Sequence, residues 1–341
     1  MTLAMQVLQR LAVARAGESA GPCFVSGAAL AAEFAVTRSA VWKAMSVLRE
    51  RGAEIQAITH RGYRLVQPSS PLSAEGVLAG LSPEVRAHLR EGQCLNEATS
   101  TNTALIERGA PPPGRFDFLT AEYQSAGRGR LGRSWLAPPG GAVCMSWSWC
   151  FEGIGQPGAL SLATGVAVLR ALTSLGVGGV RLKWPNDLVT AQGKLGGILI
   201  EMRSEAAGPL HVVVGLGLNV TLGSAMREFI GAAGGNRATD LAALCTDGVP
   251  PAREALVAAL LAHNVALLRD FARDGFAAAR AEYLAADALQ GRPVRITGGG
   301  AAVSGGIARG VDADGALLVE DAGRIHSIVA GEVSVRPEED A

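Results

Sequence analysis

Nine consecutive residues, Gly127-Arg128-Gly129-Arg130-Leu131-Gly132-Arg133-Ser134-Trp135, hold three glycines and three arginines. Glycine lets a backbone come close to a ligand, and arginine offers a planar fork of donors to a carboxylate or phosphate. Together they describe a loop that surrounds an anion. The order is not that of a P-loop, G-x-x-x-x-G-K-[ST]. Gly127, Gly129 and Gly132 do keep the G-x-G-x-x-G register, but they open no predicted helix, so a Rossmann reading fails on context. A basic surface loop without a ligand would share this composition, so the loop alone decides nothing.

Two lysines narrow the choice. Of 31 basic residues only three are lysines (Lys43, Lys183 and Lys194), and 28 are arginines. In Arg181-Leu182-Lys183-Trp184-Pro185-Asn186-Asp187-Leu188 a strand delivers Lys183, Pro185 breaks the ladder, and Asn186 with Asp187 occupies the turn. Trp184 next to Pro185 also suits a packed corner. The second lysine opens Lys194-Leu195-Gly196-Gly197-Ile198-Leu199-Ile200-Glu201, again at a strand entrance. A lysine is a compact point charge that suits a phosphate changing shape during reaction, whereas arginine prefers a fixed planar partner.

Other segments supply neutral polar groups. Val212 to Val220 is a buried-strand run with alternate glycines that reaches Asn219, and such glycines predict something flat or bulky packed on the sheet. Thr99-Ser100-Thr101-Asn102 precedes a helix expected over 103–108; it reads as an N-cap or as a group of donors for a small polar ligand. The five histidines are scattered at 60, 88, 211, 263 and 326, and no Ser–His–Asp set or covalent nucleophile is apparent. Basic groups, amides and one carboxylate suit the stabilisation of a phosphate-like transition state better than acid–base hydrolysis.

The elements that must position these residues divide into three units. The first 67 residues carry eight Lys or Arg against four Asp or Glu, hence +4, and since the whole chain is neutral the remainder carries −4. Zero net charge excludes nucleic-acid binding by bulk charge but not by a local basic face. Leu3, Val7, Leu8 and Leu11 share one face of a first helix, Ser26 caps a second over 27–34, and Thr37 caps a third over 38–51. That third helix hides Val41, Ala44, Met45 and Leu48 and shows Arg38, Ser39, Trp42, Lys43, Ser46 and Arg49. Two β-like segments, 54–58 and 62–66, follow, with His60 and Arg61 at the tip between them. Two short helices joined by a tight turn, the second with a basic face, are what major-groove reading requires, although a helical protein-interaction module would share the shape. A Pro/Ser linker runs over 67–71.

The chain of 341 residues is 48% hydrophobic and 18% charged, enough for a sizeable core and too apolar for disorder. Its five cysteines, at 23, 94, 144, 150 and 245, form no C-x-x-C pair, so neither a zinc site nor a disulfide framework is expected. No signal peptide and no uninterrupted apolar span is apparent; the most apolar long stretch, 255–268, contains His263 and Asn264 and reads as an amphipathic helix. A cytoplasmic protein without membrane contact is expected. The tail from Gly291 to Arg336 alternates β-like runs at 293–296, 306–311, 316–320 and 325–329 with Gly/Asp turns, the pattern of a small barrel.

Four motifs in this order and spacing, namely the Gly/Arg loop ending in Ser134-Trp135, Lys183-Trp184-Pro185-Asn186-Asp187, Lys194-Leu195-Gly196-Gly197-Ile198-Leu199 and Gly215-Leu216-Gly217-Leu218-Asn219, resemble those of biotin–protein ligases. The N-terminal unit makes the chain similar to the bifunctional bacterial type, which also represses biotin genes. The resemblance implies an α+β multidomain fold: a winged helix-turn-helix unit over 1–67, a central mixed β-sheet ligase domain with flanking helices (class II synthetase-like) over 72–288, and an SH3-like β-barrel over 289–341.

It also implies a two-step ligation, in which biotin attacks the α-phosphate of ATP, supplied with Mg2+ as MgATP, and biotinyl-5′-AMP then acylates a lysine of a biotin carboxyl carrier protein of acetyl-CoA carboxylase. Carried over by motif, Ser100, Thr101, Asn102 and Gln124 would hold the ureido end of biotin. Gly127, Gly129 and Gly197 would lie alongside it, with Arg128 and Arg130 over the carboxylate and phosphate. Lys194 would face the α-phosphate with Lys183 as its partner, and Asp187 would orient or deprotonate the incoming lysine. Trp135 would close the loop and, with Asn186, Asn219 and Arg336, face the nucleotide; Glu332 is a further candidate for nucleotide or acceptor. Arg38, Ser39, Trp42, Lys43 and Arg61 would contact operator DNA. No metal ligand set is implied, and an adenylate-induced homodimer is.

Thr221 to Arg237, where the family often has an ordering loop over adenine, departs from that pattern: it is rich in Gly and Ala, with Met226 and Phe229 read as its large apolar side chains. The connection over 17–25 also looks long for such a small domain. The competing functions are a lipoate- or octanoate-type protein ligase and a ligand-sensing repressor without ligase activity.

Overall fold

The computed structural model describes residues 1–16, 23–67, 71–152, 157–204, 209–232, 237–297, 304–329 and 334–337. The N-terminal unit comprises α1 (Leu3–Ala16), α2 (Gly27–Glu33), α3 (Arg38–Glu50) and the hairpin β1 (Ile55–Ile58) with β2 (Gly62–Leu65). Both expected caps form: Ser26 Oγ accepts from the Ala29 amide at 3.0 Å and Thr37 Oγ1 from that of Ala40 at 3.2 Å. α3 buries Val41, Ala44, Met45 and Leu48 in a core built with α1 and the hairpin. Val25 bridges to Tyr63 at the hairpin, and Gly62, at φ +110°, has no room for a side chain there: a Cβ would lie 2.3 Å from the Val25 carbonyl. The unit is a winged helix-turn-helix. Most of the long connection, residues 17–22, lies outside the described residues.

The central domain begins with the short helices α4 (Ala74–Ala79) and α5 (Pro83–His88). It continues through β3 (Leu89–Ala98), α6 (Thr101–Arg108), β4 (Phe116–Gln124), β5 (Ala142–Phe151), α7 (Leu160–Ser174), β6 (Arg181–Lys183) and β7 (Asp187–Thr190). β8 (Gly193–Ser204), β9 (Leu210–Asn219), α8 (Ser224–Ala232), α9 (Arg253–Asp274) and α10 (Ala277–Ala286) complete it. Seven strands form one mixed sheet in the order β3-β4-β5-β9-β8-β7-β6, parallel only between β3 and β4. Because side chains alternate along a strand, the sheet has two distinct faces. Phe116, Phe118, Trp147, Val212 and Val214 pack beneath α7 and α9 in the main core, whereas Leu119 and Val213 meet Leu105 of α6 on the other side. α9 is long and apolar enough by length and hydropathy to cross a membrane, but Leu256, Leu260, Leu261 and Leu268 are buried in that core.

β10 (Pro293–Thr297), β11 (Gly305–Val311), β12 (Leu317–Asp321), β13 (Arg324–Ile328) and β14 (Ser334–Pro337) form a C-terminal antiparallel sheet, consistent with the SH3-like barrel. The sequence reading missed β14, a short segment among charged residues. This domain shares its core with the central one, and Trp184 Nε1 donates to the Gly315 carbonyl at 3.0 Å across their boundary. Trp184 is therefore the packed corner its neighbours suggested. The N-terminal unit keeps a core of its own and docks through polar contacts. Arg51 pairs with Glu97 at 2.9 Å and stacks 4.2 Å over the Tyr123 ring, and Gln9 Nε2 donates to Asn96 Oδ1 at 2.7 Å.

Candidate active site

The cavity-side face of the sheet carries Gly197 and Leu199 on β8, Gly215, Gly217 and Asn219 on β9, and Cys144 and Ser146 on β5, paired in register. The alternate glycines of β9 are needed because other groups lie flat on them. A Cβ on Gly215 would stand 2.3 Å from Asn102 Oδ1, and one on Gly217 2.3 Å from the Trp135 indole. Above this floor the Gly/Arg loop folds back on itself: Trp135 N donates to Gly127 O at 2.8 Å and Gly129 N to Arg133 O at 2.7 Å. Leu131 takes φ +56° at the exposed tip. Between loop and sheet lies a cavity of about 530 Å³.

One end of the cavity is neutral and polar. Ser100 caps α6, so Thr101 and Asn102 are the first helical residues; the helix starts two residues earlier than expected. The Thr101 amide and hydroxyl both reach Gln124 Oε1, at 2.8 and 3.1 Å. Ser146 Oγ lies 2.6 Å from Thr101 Oγ1 and 2.5 Å from Asn102 Oδ1.

The middle is cationic. Lys183 ends β6 and faces Asp187, which is the first residue of β7 rather than part of the turn; the turn is Trp184 to Asn186. The shift arises because the tight reversal at Pro185 lets pairing resume at once. Asp187 Oδ1 receives Lys194 Nζ at 2.5 Å. Burial pushes the Arg130 guanidinium down from its usual range, with Asp187 partly offsetting this, so an arriving anion would stabilise that cation. Asn186 Nδ2 donates to Ile198 O at 2.7 Å and ties the turn to β8.

The far end is built by the segment after β9. Gly193 sits at φ +146° with no space for a Cβ, 2.1 Å from Arg237 O, which lets that segment pair with Lys194: Lys194 N donates to Arg237 O at 2.7 Å and Thr239 N to Lys194 O at 2.9 Å. Ile230 and Ala238 thereby line the cavity beside Trp135 and Asn219. Asn219 is buried, donates from Nδ2 to Thr239 O at 2.9 Å, and its Oδ1 has no hydrogen bond among the described residues. Burial raises the Cys144 thiol to about 11, so it offers no thiolate at neutral pH.

The sequence of this site matches the Biotin/lipoate A/B protein ligase family over residues 97–219; the Biotin protein ligase C terminal domain matches over 290–336 and an HTH domain over 19–64. The chain is 33% identical over 318 residues to the bifunctional ligase/repressor BirA of Escherichia coli (strain K12), covering 93% of this chain and 94% of that one. The chain belongs to the biotin protein ligase family. The ligase is also 34% identical over 263 residues to the biotin--[acetyl-CoA-carboxylase] ligase of Mycobacterium tuberculosis, covering 72% of this chain and 88% of that one. Among solved structures it is similar to the Aquifex aeolicus biotin protein ligase in complex with biotin and ATP, with TM-score 0.61 and 26% identity, over 73% of this chain and 100% of that one.

Most residues expected at the site of this ligase line the one cavity: Ser100, Thr101, Asn102, Gln124, Arg128, Gly129, Arg130, Trp135, Lys183, Asn186, Asp187, Lys194, Gly197 and Asn219. Gly127 does not; a Cβ there would meet Trp135 O at 2.6 Å, so it serves loop closure. Arg336 lies on β14, but its side chain is outside the described residues, as is Glu332. Arg128 bonds Thr103 Oγ1 and Glu201, at 3.0 Å each, on the neutral side of the cavity. The divergent 221–237 segment contributes Ile230, which the sequence reading passed over. Met226 instead packs toward Gly52 of the N-terminal unit, and Phe229 is 57% exposed.

The reading also missed a buried ion pair. Arg253 NH1 and NH2 lie 2.7 and 2.9 Å from Glu122, which also accepts the Leu72 amide at 2.8 Å. A glutamate ending the apolar run of β4 was the available signal. Arg38, Ser39, Trp42 and Lys43 are exposed on α3 and Arg61 is exposed at the wing, 4.6 Å over the Phe24 ring. Arg49 is drawn back to the Ile55 carbonyl at 3.0 Å.

Proposed function

We propose that this ligase activates biotin with ATP in the cavity beneath the Gly/Arg loop and passes it to a lysine of a biotin carboxyl carrier protein. The observation carrying this reading is one continuous cavity with a neutral polar end, a Lys–Asp–Arg middle and a far end holding an unpaired buried acceptor. A ureido group needs neutral donors and acceptors, which Ser100, Thr101, Asn102 and Gln124 supply. The biotin carboxylate then lies toward Lys194, Lys183 and Arg130. Its oxygen attacks the α-phosphorus, the bond to the bridging oxygen breaks, and pyrophosphate leaves. Lys194 and Lys183 offset the charge that builds on the phosphoryl oxygens, an effect that is strongest in a site shielded from water. Trp135, Ile230 and Ala238 offer an apolar slot for a base, and Asn219 Oδ1 an acceptor for an exocyclic amine.

In the second step the carrier lysine's amine attacks the acyl carbon, AMP departs, and Asp187 takes the amine proton. Magnesium bound to a triphosphate keeps several waters and takes one or two carboxylates, and Asp187 is the one carboxylate lining the cavity among the described residues. The winged helix-turn-helix presents Arg38, Ser39, Trp42, Lys43 and Arg61 to operator DNA, which makes the protein a biotin-responsive repressor. Pairing of two copies on adenylate formation and a cytoplasmic setting, consistent with five free cysteines, belong to the same proposal. The test is exchange of labelled pyrophosphate into ATP. Exchange should depend on biotin, and exchange with lipoate or octanoate but not biotin would overturn the reading.

A further inference from the structure

Glu201 lies on β8, two residues beyond Leu199 and four beyond Gly197, on the same face of the sheet. It does not line the cavity. Its carboxylate stands behind the neutral end and receives two cavity residues at once: Asn102 Nδ2 at 2.8 Å, and Arg128 NH2 at 3.1 Å from Oε1 and 3.0 Å from Oε2.

These contacts set a direction for every hydrogen bond beyond them. Asn102 faces two acceptors on one side, the Glu201 carboxylate and Leu199 O at 3.3 Å, so its NH2 must point there. Its Oδ1 then faces Ser146, whose single hydroxyl hydrogen is committed to it at 2.5 Å. Ser146 Oγ, 2.6 Å from Thr101 Oγ1, then takes that hydroxyl's one hydrogen, so Gln124 Oε1, 3.1 Å from Thr101 Oγ1, keeps only the Thr101 amide as a donor. Gln124 presents its oxygen to Thr101, accepting the backbone amide at 2.8 Å, which leaves its NH2 as the donor available elsewhere. A protonated or absent group at 201 would release this order, because a hydroxyl network with no charged end can run either way.

The same carboxylate explains why Arg128 lies on the neutral side. Paired with Glu201, its charge is balanced there, while the Asp187 charge acts on Arg130.

We propose that Glu201 is a positioning residue for recognition of the ligand's neutral head. It orients Asn102 and Arg128 and, through Ser146, fixes the donor and acceptor pattern that Thr101 and Gln124 present. This rests on the reading of that end as the biotin head-group pocket. The experiment compares wild type with Glu201→Gln and Glu201→Ala in biotin-dependent pyrophosphate exchange, measuring kcat and KM for biotin and ATP separately. Glu201→Gln keeps the shape and an acceptor but lets its own NH2 compete. It should raise the biotin KM about 10-fold and Glu201→Ala about 50-fold, from the loss of hydrogen bonds to a charged group. ATP KM and kcat should stay within about threefold. A purely structural role would move both KM values, kcat and the melting temperature together, and that result would overturn the proposal. So would an unchanged biotin KM in Glu201→Gln, which needs no rearrangement to fold. If wild type showed no biotin-dependent exchange, the biotin reading itself would fail, an outcome distinct from active variants with unchanged KM.

Discussion

Replacing Gly217 by alanine tests whether Trp135 seats the catalytic loop on the sheet. The backbone there is outside the left-handed region, so alanine brings no conformational strain, but its methyl would lie 2.3 Å from Trp135 Cε2, 2.6 Å from Cζ2 and 2.7 Å from Cδ2. Carbon atoms in contact prefer about 3.5 Å, so the indole must lift by roughly 1.2 Å. Trp135 N is tied to Gly127 O, and the displacement passes along the loop to Arg130. A misplacement of about 1 Å near reacting groups costs on the order of 100-fold in rate, or about 2.7 kcal/mol. The kcat/KM for biotin in pyrophosphate exchange should fall by that factor. Because loop and indole lie at the cavity mouth rather than in the main core, the melting temperature should drop by no more than about 3 °C. Trp135→Leu removes the obstacle, so the double variant should be no worse than Trp135→Leu alone, a coupling of about 1–3 kcal/mol. A Gly217→Ala enzyme within threefold of wild type, or losses that simply add, would mean that Trp135 does not seat the loop.

Arg253→Met leaves the Glu122 carboxylate buried with the Leu72 amide as its remaining donor. It should cost about 3–5 kcal/mol and lower the melting temperature by roughly 10 °C, whereas a fall under about 2 °C would contradict the pairing. His211 and His263 are both held below the ordinary imidazole range, chiefly by burial, with Arg203 and Arg170 adding to it. The unfolded chain therefore binds their protons more readily, and the stability they contribute is present above about pH 6.5 and lost as pH falls toward the depressed folded values. Urea midpoints at pH 7.5 and 5.5 should differ less in a His211→Gln, His263→Gln variant than in wild type. In DNA binding, Lys43→Ala and Arg61→Ala should each reduce the salt slope by about one if they contact phosphates. Unchanged slopes in titrations with a biotin-gene promoter would remove these residues from the interface.

Much of this was legible in the chain because the informative residues were chemically out of place. Alternate glycines in β9 announced something flat above them, and Trp135 and Asn102 proved to be those groups. In a chain that otherwise uses arginine, Lys183 and Lys194 stood out; both line the cavity, and Lys194 pairs with Asp187. Amphipathic spacing and side-chain caps fixed α2 and α3 to within a residue. What stayed hidden depended on partners distant in sequence. Arg253 meets Glu122 across 131 positions, and Ser146, a small residue in an apolar strand, gains its role only once α6 lies over β5. Arg128 was read from its place in the loop, and its bond to Glu201, 73 positions away, could not be seen there.

A cavity that makes an acyl-adenylate should yield that product for direct inspection. The ligase is incubated with biotin and MgATP without a carrier protein, and the tightly held small molecule is released and weighed by mass spectrometry. Wild type should retain biotinyl-5′-AMP in near-stoichiometric amount. Lys194→Ala should form it about 100- to 1000-fold more slowly, the loss seen on removing a donor aimed at developing charge. Unreacted biotin alone in the wild-type protein would mean that the cavity does not activate biotin, and adenylate formed equally fast without Lys194 would remove that lysine from the reaction.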